Sequence, residues 1–429
     1  MKLIVENIRS LAGKHELSLA PLTLLIGENS SGKSTCLAAL SAVLSHGFPS
    51  RPAFNEAPFD LGGYETIATY RGGRYGRAKH FALGYVEERT EQGNDVRMTG
   101  VYKNASGQPA LASISAKSPD VSINLEVEGA RLTGKISFSG TKDRQPLEID
   151  IDGESPEAAS HMPFPYVIYS LLARNRSLAH DQASAVFGLL ERHSLRRAVA
   201  VAPVRTKPRR TYDPISDEFQ PEGDHVPLVL ARVLSGPPSK QRDDMRSALQ
   251  SFGEKSGLFS EVKIRKFGPN PSDPFQILVA ADARPFNLTD VGYGVSQALP
   301  VIVEATRGSP GQLLLLQQPE VHLHPRAQGA LGSLFAKLVA TEQKEFVIET
   351  HSDYLIDRIR QEVAIGTLPP DAVSLLFFER RHGETVVHSL LLDRHGNITN
   401  APPSYRSFFL QEEYALLKRT EPTLFESTP

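Results

Sequence analysis

Residues 27–35 read GENSSGKST and match the pattern G-x-x-x-x-G-K-[ST], which binds the phosphates of a nucleotide. Gly27 and Gly32 are required because the loop curls its backbone N–H groups around the phosphates, along a path on which a Cβ atom would clash. Lys33 is expected to reach the β- and γ-phosphates, and the Ser34 hydroxyl is expected to hold Mg²⁺. The helix that follows points its positive end at the anion.

The residues around this loop predict the strand and the helix that the loop requires. Residues 22–26, LTLLI, form an apolar run typical of a buried strand, and Leu37, Leu40 and Leu44 follow at helical spacing. A strand, a loop and a helix in this order separate a working phosphate loop from a chance match. The residues expected to bind the nucleotide are Gly27, Glu28, Asn29, Ser30, Ser31, Gly32, Lys33, Ser34 and Thr35.

Two later apolar runs end in polar residues that suit phosphate chemistry. Residues 313–320 read LLLLQQPE, a buried strand whose end is the usual place for the group that holds Mg²⁺ and the group that positions attacking water. Residues 346–352 read FVIETHS, a strand ending in a histidine that either contacts a γ-phosphate or is a buried histidine bonded to a backbone carbonyl. The candidate metal ligands are Ser34 and Gln317, and the candidate catalytic residues are Gln318, Glu320 and His351.

A third segment suggests contact with a second phosphate. Residues 290–297 read DVGYGVSQ, a turn with two glycines that leads into a predicted helix over 298–304. The free N–H groups at the start of such a helix bind anions, and the Ser296 hydroxyl adds a donor. We therefore expect a phosphate-binding role for Gly294, Ser296 and Gln297.

Composition limits the classes of function. The chain has 429 residues, with 47 Lys and Arg against 49 Asp and Glu, so no overall charge draws it to nucleic acid or to acidic membranes. Its one cysteine, Cys36, excludes an internal disulfide and a cysteine-based zinc cluster, and suits a reducing cytosol. No apolar run approaches the length of a membrane span, and the N-terminus lacks the apolar segment of a signal peptide. These features predict a cytoplasmic protein with no membrane partner.

The order of the predicted elements indicates an α/β fold. Strand-like alternation runs through residues 79–153, which predicts an antiparallel β-subdomain beside the nucleotide core. Residues 203–260 combine a basic, proline-containing loop with a helical insertion. Short apolar runs then alternate with helical stretches, as in a parallel α/β core. We predict an N-terminal part of the core at 1–202, the loop and insertion at 203–260, and a C-terminal part of the core at 261–429.

The motifs, taken together and in this order, resemble those of the ABC-type ATPases. The resemblance is to the stand-alone branch of AAA-family ATPases, which is related to the ATPase modules of OLD-type nucleases and other phage-defence systems. It rests on GENSSGKST, DVGYGVSQ, QQPEVHLHP, ETHS and LLDRHGNITN. It implies an ABC-ATPase-like P-loop core that binds ATP and Mg²⁺. It also implies a homodimer or higher homo-oligomer in which the phosphate loop of one subunit faces Gly294, Ser296 and Gln297 of another.

One departure from the family pattern concerns the residues that act on the metal and on water. The family generally has an acid, then Glu or Gln, then Pro-Glu, whereas this chain has Gln317 and Gln318. An amide supplies no negative charge to a metal and cannot act as a general base. Glu320 and Glu349 are the nearby acids that can substitute. Slow hydrolysis, a seldom cleaved ATP clamp and a substitution introduced to trap ATP all stay open.

The resemblance implies an ATPase whose nucleotide-driven dimerisation signals to a separate effector protein. The effector is expected to be a nuclease or a toxin that acts in anti-phage defence or nucleic-acid surveillance. The alternative is a non-hydrolysing scaffold subunit that uses bound ATP to hold a larger assembly together. The two glutamines favour this alternative.

A basic run offers a further contact surface. It covers Arg205–Arg210, with Arg196 and Arg197 shortly before it, and it can bind nucleic acid or an acidic protein surface. Solvated surface charge is the ordinary role of such a run, and Tyr212 is the one aromatic residue beside it that could stack on a base. The sequence leaves both interpretations open.

Overall fold

The computed structural model describes residues 1–88, 95–129, 131–139, 146–151, 180–191, 198–281, 284–407, 411 and 414–415. The first nine strands in chain order are β1 (Lys2–Ile8), β2 (Leu11–Ser18), β3 (Leu22–Gly27), β4 (Phe81–Glu87), β5 (Val96–Ala105), β6 (Gln108–Lys117), β7 (Val121–Glu128), β8 (Arg131–Phe138) and β9 (Leu147–Ile151). All of these except β3 form one antiparallel sheet in the order β2-β1-β4-β5-β6-β7-β8-β9.

Alternation of apolar and polar residues along the strands explains why one face of this sheet is buried. Strand β7 reads VSINLEVE and buries Val121, Ile123, Leu125 and Val127, while the residues between them are more exposed. Because successive side chains of a strand point to opposite faces, the apolar face packs on the core and the polar face meets solvent.

The remaining strands are β10 (Ala198–Val201), β11 (Glu261–Lys266), β12 (Phe275–Ala280), β13 (Pro285–Asn287), β14 (Leu313–Gln317), β15 (Glu345–Glu349), β16 (Val373–Arg381) and β17 (Glu384–Leu390). A six-stranded sheet has the order β10-β14-β15-β3-β16-β17 and is parallel except for β17. Strands β11, β12 and β13 form a small antiparallel sheet.

The α-helices of the described residues are α1 (Lys33–Leu44), α2 (Tyr64–Ile67), α3 (His180–Glu191), α4 (Val226–Ser235), α5 (Lys240–Ser256), α6 (Tyr293–Arg307), α7 (Pro325–Glu342) and α8 (Asp353–Ala364). Helix α1 and the antiparallel sheet share one hydrophobic core with Leu25, Leu315 and Val347 of the parallel sheet. Helices α4 to α8 share a second core with Leu24, Leu314 and Ile348, which lie on the opposite face of the same parallel strands. The parallel strands are therefore buried on both faces, which explains their continuous apolar sequence.

The predicted helical insertion consists of two helices. Helix α4 ends before Gly236, and the sequence GPPS separates it from α5. Proline lacks the N–H that a helix interior requires, so a single helix cannot continue through this segment. The Ser239 hydroxyl then accepts a hydrogen bond from Arg242 N at 3.3 Å and begins α5.

The predicted α/β core with an adjoining antiparallel sheet is confirmed. The sheet recruits β1 and β2 from the start of the chain, in addition to the strands expected within residues 79–153. The three predicted domain ranges stay predictions. Among the described residues, no helix combines the length and the apolar character needed to cross a membrane.

Candidate nucleotide site

The phosphate loop joins the end of β3 to the start of α1, as its sequence predicts. Gly27 has φ +144°, and a Cβ atom there would overlap the carbonyl oxygen of Phe378 on β16. Gly32 has φ +99° and immediately precedes α1. Both positions need glycine because a side chain would bring backbone strain, and at Gly27 a collision as well.

The Lys33 side chain folds back over the loop. Its side chain is buried, and Nζ donates hydrogen bonds to the carbonyl oxygens of Gly27 at 3.0 Å and Glu28 at 2.6 Å. Burial lowers the pKa of the Lys33 ammonium, whereas the nearby carboxylates, with Glu349 the foremost, act in the opposite direction. The cation therefore lies where the phosphates of a nucleotide would be enclosed by the loop.

A distant residue supports the middle of the loop. Thr385 on β17 is buried, and its Oγ1 donates a hydrogen bond to Ser31 O at 2.8 Å. The Thr385 N–H donates to Ser10 O at 2.8 Å, which ties the same point to the turn after β1. No sequence pattern predicts this support, because Thr385 belongs to no motif and lies 354 positions from Ser31.

The acid beside Ser34 comes from β15. Ser34 is exposed, and its Oγ lies 2.8 Å from each carboxylate oxygen of Glu349. Glu349 is only 5% exposed and ends β15, where it pairs in register with Gln317 at the end of β14. A hydroxyl and a carboxylate are hard oxygen donors of the type that Mg²⁺ prefers, so this pair fits the metal that the fold family implies. Gln317, the predicted metal ligand, lies on the neighbouring strand end.

The main chain of Gln318 is fixed from two sides. Its φ is +43°, its N–H donates to Glu349 O at 2.8 Å, and its carbonyl oxygen accepts from Nη2 of Arg205 at 3.1 Å. Positive φ is uncommon for residues other than glycine and is retained where surrounding contacts enforce it. The amide side chain is half-buried at the end of the parallel sheet.

Glu320 forms hydrogen bonds with the turn that carries His351. Its Oε1 accepts hydrogen bonds from Thr350 Oγ1 and from His351 N, both at 2.8 Å. Burial raises the pKa of the Glu320 carboxyl, and these hydrogen bonds oppose the rise. The predicted catalytic carboxylate therefore positions the turn that carries His351.

His351 presents its ring at the surface, directly before α8. Partial burial lowers the pKa of the imidazole, and the positive charge of Lys33 lowers it further. A neutral imidazole at pH 7 can donate or accept one hydrogen bond with a phosphate or a water. The next residue, Ser352, caps α8 by accepting from Leu355 N at 3.0 Å, which fixes the turn.

The signature-like turn exposes different residues from those predicted. Helix α6 begins at Tyr293, and Gly292 and Tyr293 are exposed. Ser296 is 6% exposed and its Oγ donates to Tyr293 O at 2.7 Å, while Gln297 is 1% exposed. The helical period turns both side chains toward the core, whereas Gly294, predicted with them, is half-buried. In this conformation the first turn of α6 offers its backbone rather than the Ser296 hydroxyl.

Arg205 joins this helix to the Gln318 turn, a role that sequence analysis missed. Its side chain is buried, Nη1 donates to Gln297 O at 3.0 Å, and Nη2 donates to Gln318 O at 3.1 Å. Burial lowers the pKa of the guanidinium to about 10, against the opposing effects of Glu320 and Tyr293, so the group is charged at neutral pH. A planar cation with several donors suits such a bridge between two carbonyl groups.

The rest of the basic run lies at the surface. Arg210 forms an ion pair with Asp290 at 2.5 Å, Arg209 lies 3.7 Å from Asp224, and Lys207 is exposed. Burial removes Arg205 from any nucleic-acid surface. Arg196 and Arg197 lie outside the described residues. Nucleic-acid binding by this run stays a prediction.

We expect Arg205→Met to lower the free energy of unfolding by about 3 kcal/mol, since the carbonyl groups of Gln297 and Gln318 would lose their charged partner. Arg209→Met is the control in the same loop. Its ion pair is exposed, so the expected change is within about 0.5 kcal/mol. Urea denaturation of both variants measures the difference, and equal losses would contradict the bridging role of Arg205.

The chain is similar in sequence to a known protein. The chain is 23% identical over 368 residues to the OLD nuclease of Thermus scotoductus, and the match covers 84% of this chain and 60% of that protein. The chain therefore spans about three fifths of the length of this relative.

The solved structures with a similar arrangement include head domains of SMC proteins. The SmcHead bound to the C-winged helix domain of ScpA has a TM-score of 0.47 at 12% identity, and the alignment covers 92% of this chain and 98% of that chain. The SMC head domain from Thermotoga maritima has a TM-score of 0.40 at 12% identity, with 91% and 98% covered. The Smc head domain bound to the C-terminal domain of ScpA derived from Pyrococcus furiosus has a TM-score of 0.44 at 13% identity, with 96% and 98% covered.

Three family models match the chain. An "AAA domain" model matches residues 2–156, and a model described as "Protein of unknown function (DUF3696)" matches residues 368–405. A third matches residues 140–357, just over half of the chain. The AAA-domain models and the match to the OLD nuclease together confirm the predicted relation to AAA-family ATPases and OLD-type systems. The protein belongs to the family described as "AAA domain, putative AbiEii toxin, Type IV TA system".

Proposed function

We propose that the protein binds ATP with Mg²⁺ at the phosphate loop and converts it to ADP and phosphate. The observation that carries this proposal is that Lys33, the Ser34–Glu349 pair and His351 lie together at one edge of the parallel sheet, where the charge of Lys33 lowers the pKa of His351 and Glu349 ends the strand that leads to His351. Lys33 leaves the carbonyl groups of the loop and pairs with the phosphates, and neutral His351 contacts the γ-phosphate or orients water. Bound Mg²⁺ neutralises charge on the β- and γ-phosphates.

The second part of the proposal is ATP-driven association of two copies. The start of α6 supports it, because Gly292 and Tyr293 are exposed and the first N–H groups of a helix attract anions. A phosphate bound at Lys33 of one subunit meets this helix start in the other. Both copies then contact the same nucleotide, so their association depends on bound ATP.

The third part is that the ATP-bound dimer signals to a separate effector, a nuclease or a toxin, in anti-phage defence or nucleic-acid surveillance. The OLD nuclease relative supports this context by its name, and the chain matches only part of that protein. The candidate site residues of this chain all suit nucleotide binding and hydrolysis. Efficient cleavage of DNA or RNA by the purified protein with a metal ion would contradict this division of labour.

We expect Gly292→Asp to prevent ATP-dependent dimerisation while the monomer still binds ATP. Gly292 precedes α6 with φ −55°, and no atom lies within 4 Å of a Cβ built there, so a side chain fits. Aspartate suits a helix start and places a negative charge where the partner's phosphate would approach. Light scattering with ATP and Mg²⁺ measures dimerisation, and a fluorescent ATP analogue measures binding.

Gly292→Ser is the matched control because serine also begins helices well but adds no charge. Lys33→Ala is the blank for nucleotide binding. A Gly292→Asp protein that dimerises as well as the wild type would refute the head-to-tail arrangement.

The second candidate function is a non-hydrolysing scaffold that uses ATP to hold an assembly together. Gln317 and Gln318 favour it, because the ends of β14 and the following turn supply amides where a general base would be expected. In this case ATP is bound and retained, and turnover is absent.

Phosphate release separates the two candidates. We expect release by the wild type to exceed that of Lys33→Ala. We also expect Gln318→Glu to raise the rate by about 10²-fold, because a carboxylate can take a proton from attacking water. Wild-type release equal to the blank would favour the scaffold instead.

A further inference from the structure

Glu349 differs from the other carboxylates near the phosphate loop in its contact with Ser34. Both of its carboxylate oxygens lie 2.8 Å from Ser34 Oγ, and Glu349 itself is 5% exposed. Glu320, the other buried candidate, uses Oε1 to hold Thr350 and His351. The acid that contacts Ser34 is therefore Glu349.

The distances between Ser34 and Glu349 are compatible with a shared Mg²⁺ ion. This ion takes six oxygen ligands at about 2.0–2.1 Å in an octahedron, so two neighbouring ligands lie about 2.9 Å apart. The observed 2.8 Å between Ser34 Oγ and each Glu349 oxygen is an ordinary hydrogen-bond distance, and it also leaves these oxygens close enough to bind one ion together. The hydroxyl now donates its proton to the carboxylate, and rotation of that proton would turn a lone pair to the metal without moving either oxygen.

The pairing of the strands explains how Glu349 can take the role expected of Gln317. The two residues are register partners at the ends of the parallel strands β14 and β15. Neighbouring strands lie about 4.8 Å apart, which is less than the reach of a glutamate side chain from its backbone to a shared ligand. A carboxylate at the end of β15 can therefore reach the same metal ion as a carboxylate at the end of β14.

We propose that Glu349 is the carboxylate ligand of the Mg²⁺ that accompanies the nucleotide, together with Ser34, and that it replaces the missing acid at Gln317. This assignment rests on the proposed binding of ATP. No cluster of three or more His, Cys, Asp or Glu in the described residues could hold a metal alone. That agrees with an ion held by one carboxylate, one hydroxyl and the phosphates, as is usual for Mg²⁺ with nucleotides.

A metal ligand at Glu349 would couple the metal site to the γ-phosphate contact. Glu349 ends β15, and His351 follows it by two residues. The group that holds the metal and the group that contacts the γ-phosphate then belong to one strand end. Loss of the γ-phosphate would relax both contacts together, and Gln317 would take no part.

Mn²⁺, which substitutes for Mg²⁺ and is paramagnetic, provides the test. Electron paramagnetic resonance measures Mn²⁺ affinity of the full-length protein saturated with a non-hydrolysable ATP analogue. We expect Glu349→Gln to weaken Mn²⁺ binding by about 10-fold or more. Binding of a fluorescent ATP analogue in EDTA should stay within about 2-fold of the wild type, because the phosphate contacts of Lys33 and the loop are retained.

Two further variants sharpen the result. Glu345→Gln removes a carboxylate from the other end of β15, about 13 Å away by the strand rise, and should leave Mn²⁺ affinity unchanged. Gln317→Glu combined with Glu349→Gln returns the acid to β14 and should restore most of the Mn²⁺ affinity.

Unchanged Mn²⁺ affinity in Glu349→Gln would overturn the assignment. If that variant does not fold, electron-nuclear double resonance on the wild-type protein labelled with ¹³C at its glutamate carboxyl groups decides the question. A strongly coupled carboxyl carbon that is also present in the labelled Glu320→Gln protein supports the assignment, and its absence refutes it. Failure of the wild-type protein to bind the ATP analogue in EDTA and with Mn²⁺ would instead refute the proposed function.

Discussion

Parallel pairing of β15 between β3 and β14 is the constraint on which the whole site depends. These strands end at Gly27, Gln317 and Glu349, and their backbone hydrogen bonds place the three ends at one edge of the sheet. Both faces of the sheet are buried, so a change of register would carry apolar residues out of two cores at once. Ser34 therefore meets Glu349 across 315 positions of sequence.

Two buried charged residues, Arg205 and Glu320, fix the turns that follow these strands. Arg205 ties the first turns of α6 to the Gln318 carbonyl, and Glu320 ties Thr350 to the His351 backbone. Burying a charge costs desolvation free energy, which hydrogen bonds to fixed backbone groups offset. The start of α6, the Gln318 turn and the His351 turn are thereby connected through side chains. Such a connection is what an ATPase needs if nucleotide contacts at one turn are to influence another.

The sequence predicts those parts of the site whose chemistry depends on neighbouring residues. The phosphate loop could be predicted because GENSSGKST imposes its own backbone path, and strands β3, β14 and β15 could be predicted from their apolar runs. The sequence is less informative where the orientation of a side chain depends on packing. Ser296 follows Tyr293 by three residues, so both lie near one side of α6, yet the core takes the Ser296 side chain and solvent takes Tyr293. Only the packing of α6 on the sheet decides this.

The sequence by itself determined that the protein has a nucleotide-binding α/β core, because glycine positions, apolar runs and the loop motif act over a few residues. It also showed that the end of β14 lacks an acid. Only the tertiary structure decided which acid reaches Ser34, which cation bridges α6 to Gln318, and which residue supports Ser31. Those contacts join residues 315, 113 and 354 positions apart. They arise from strand order and burial, which no local pattern of residues encodes.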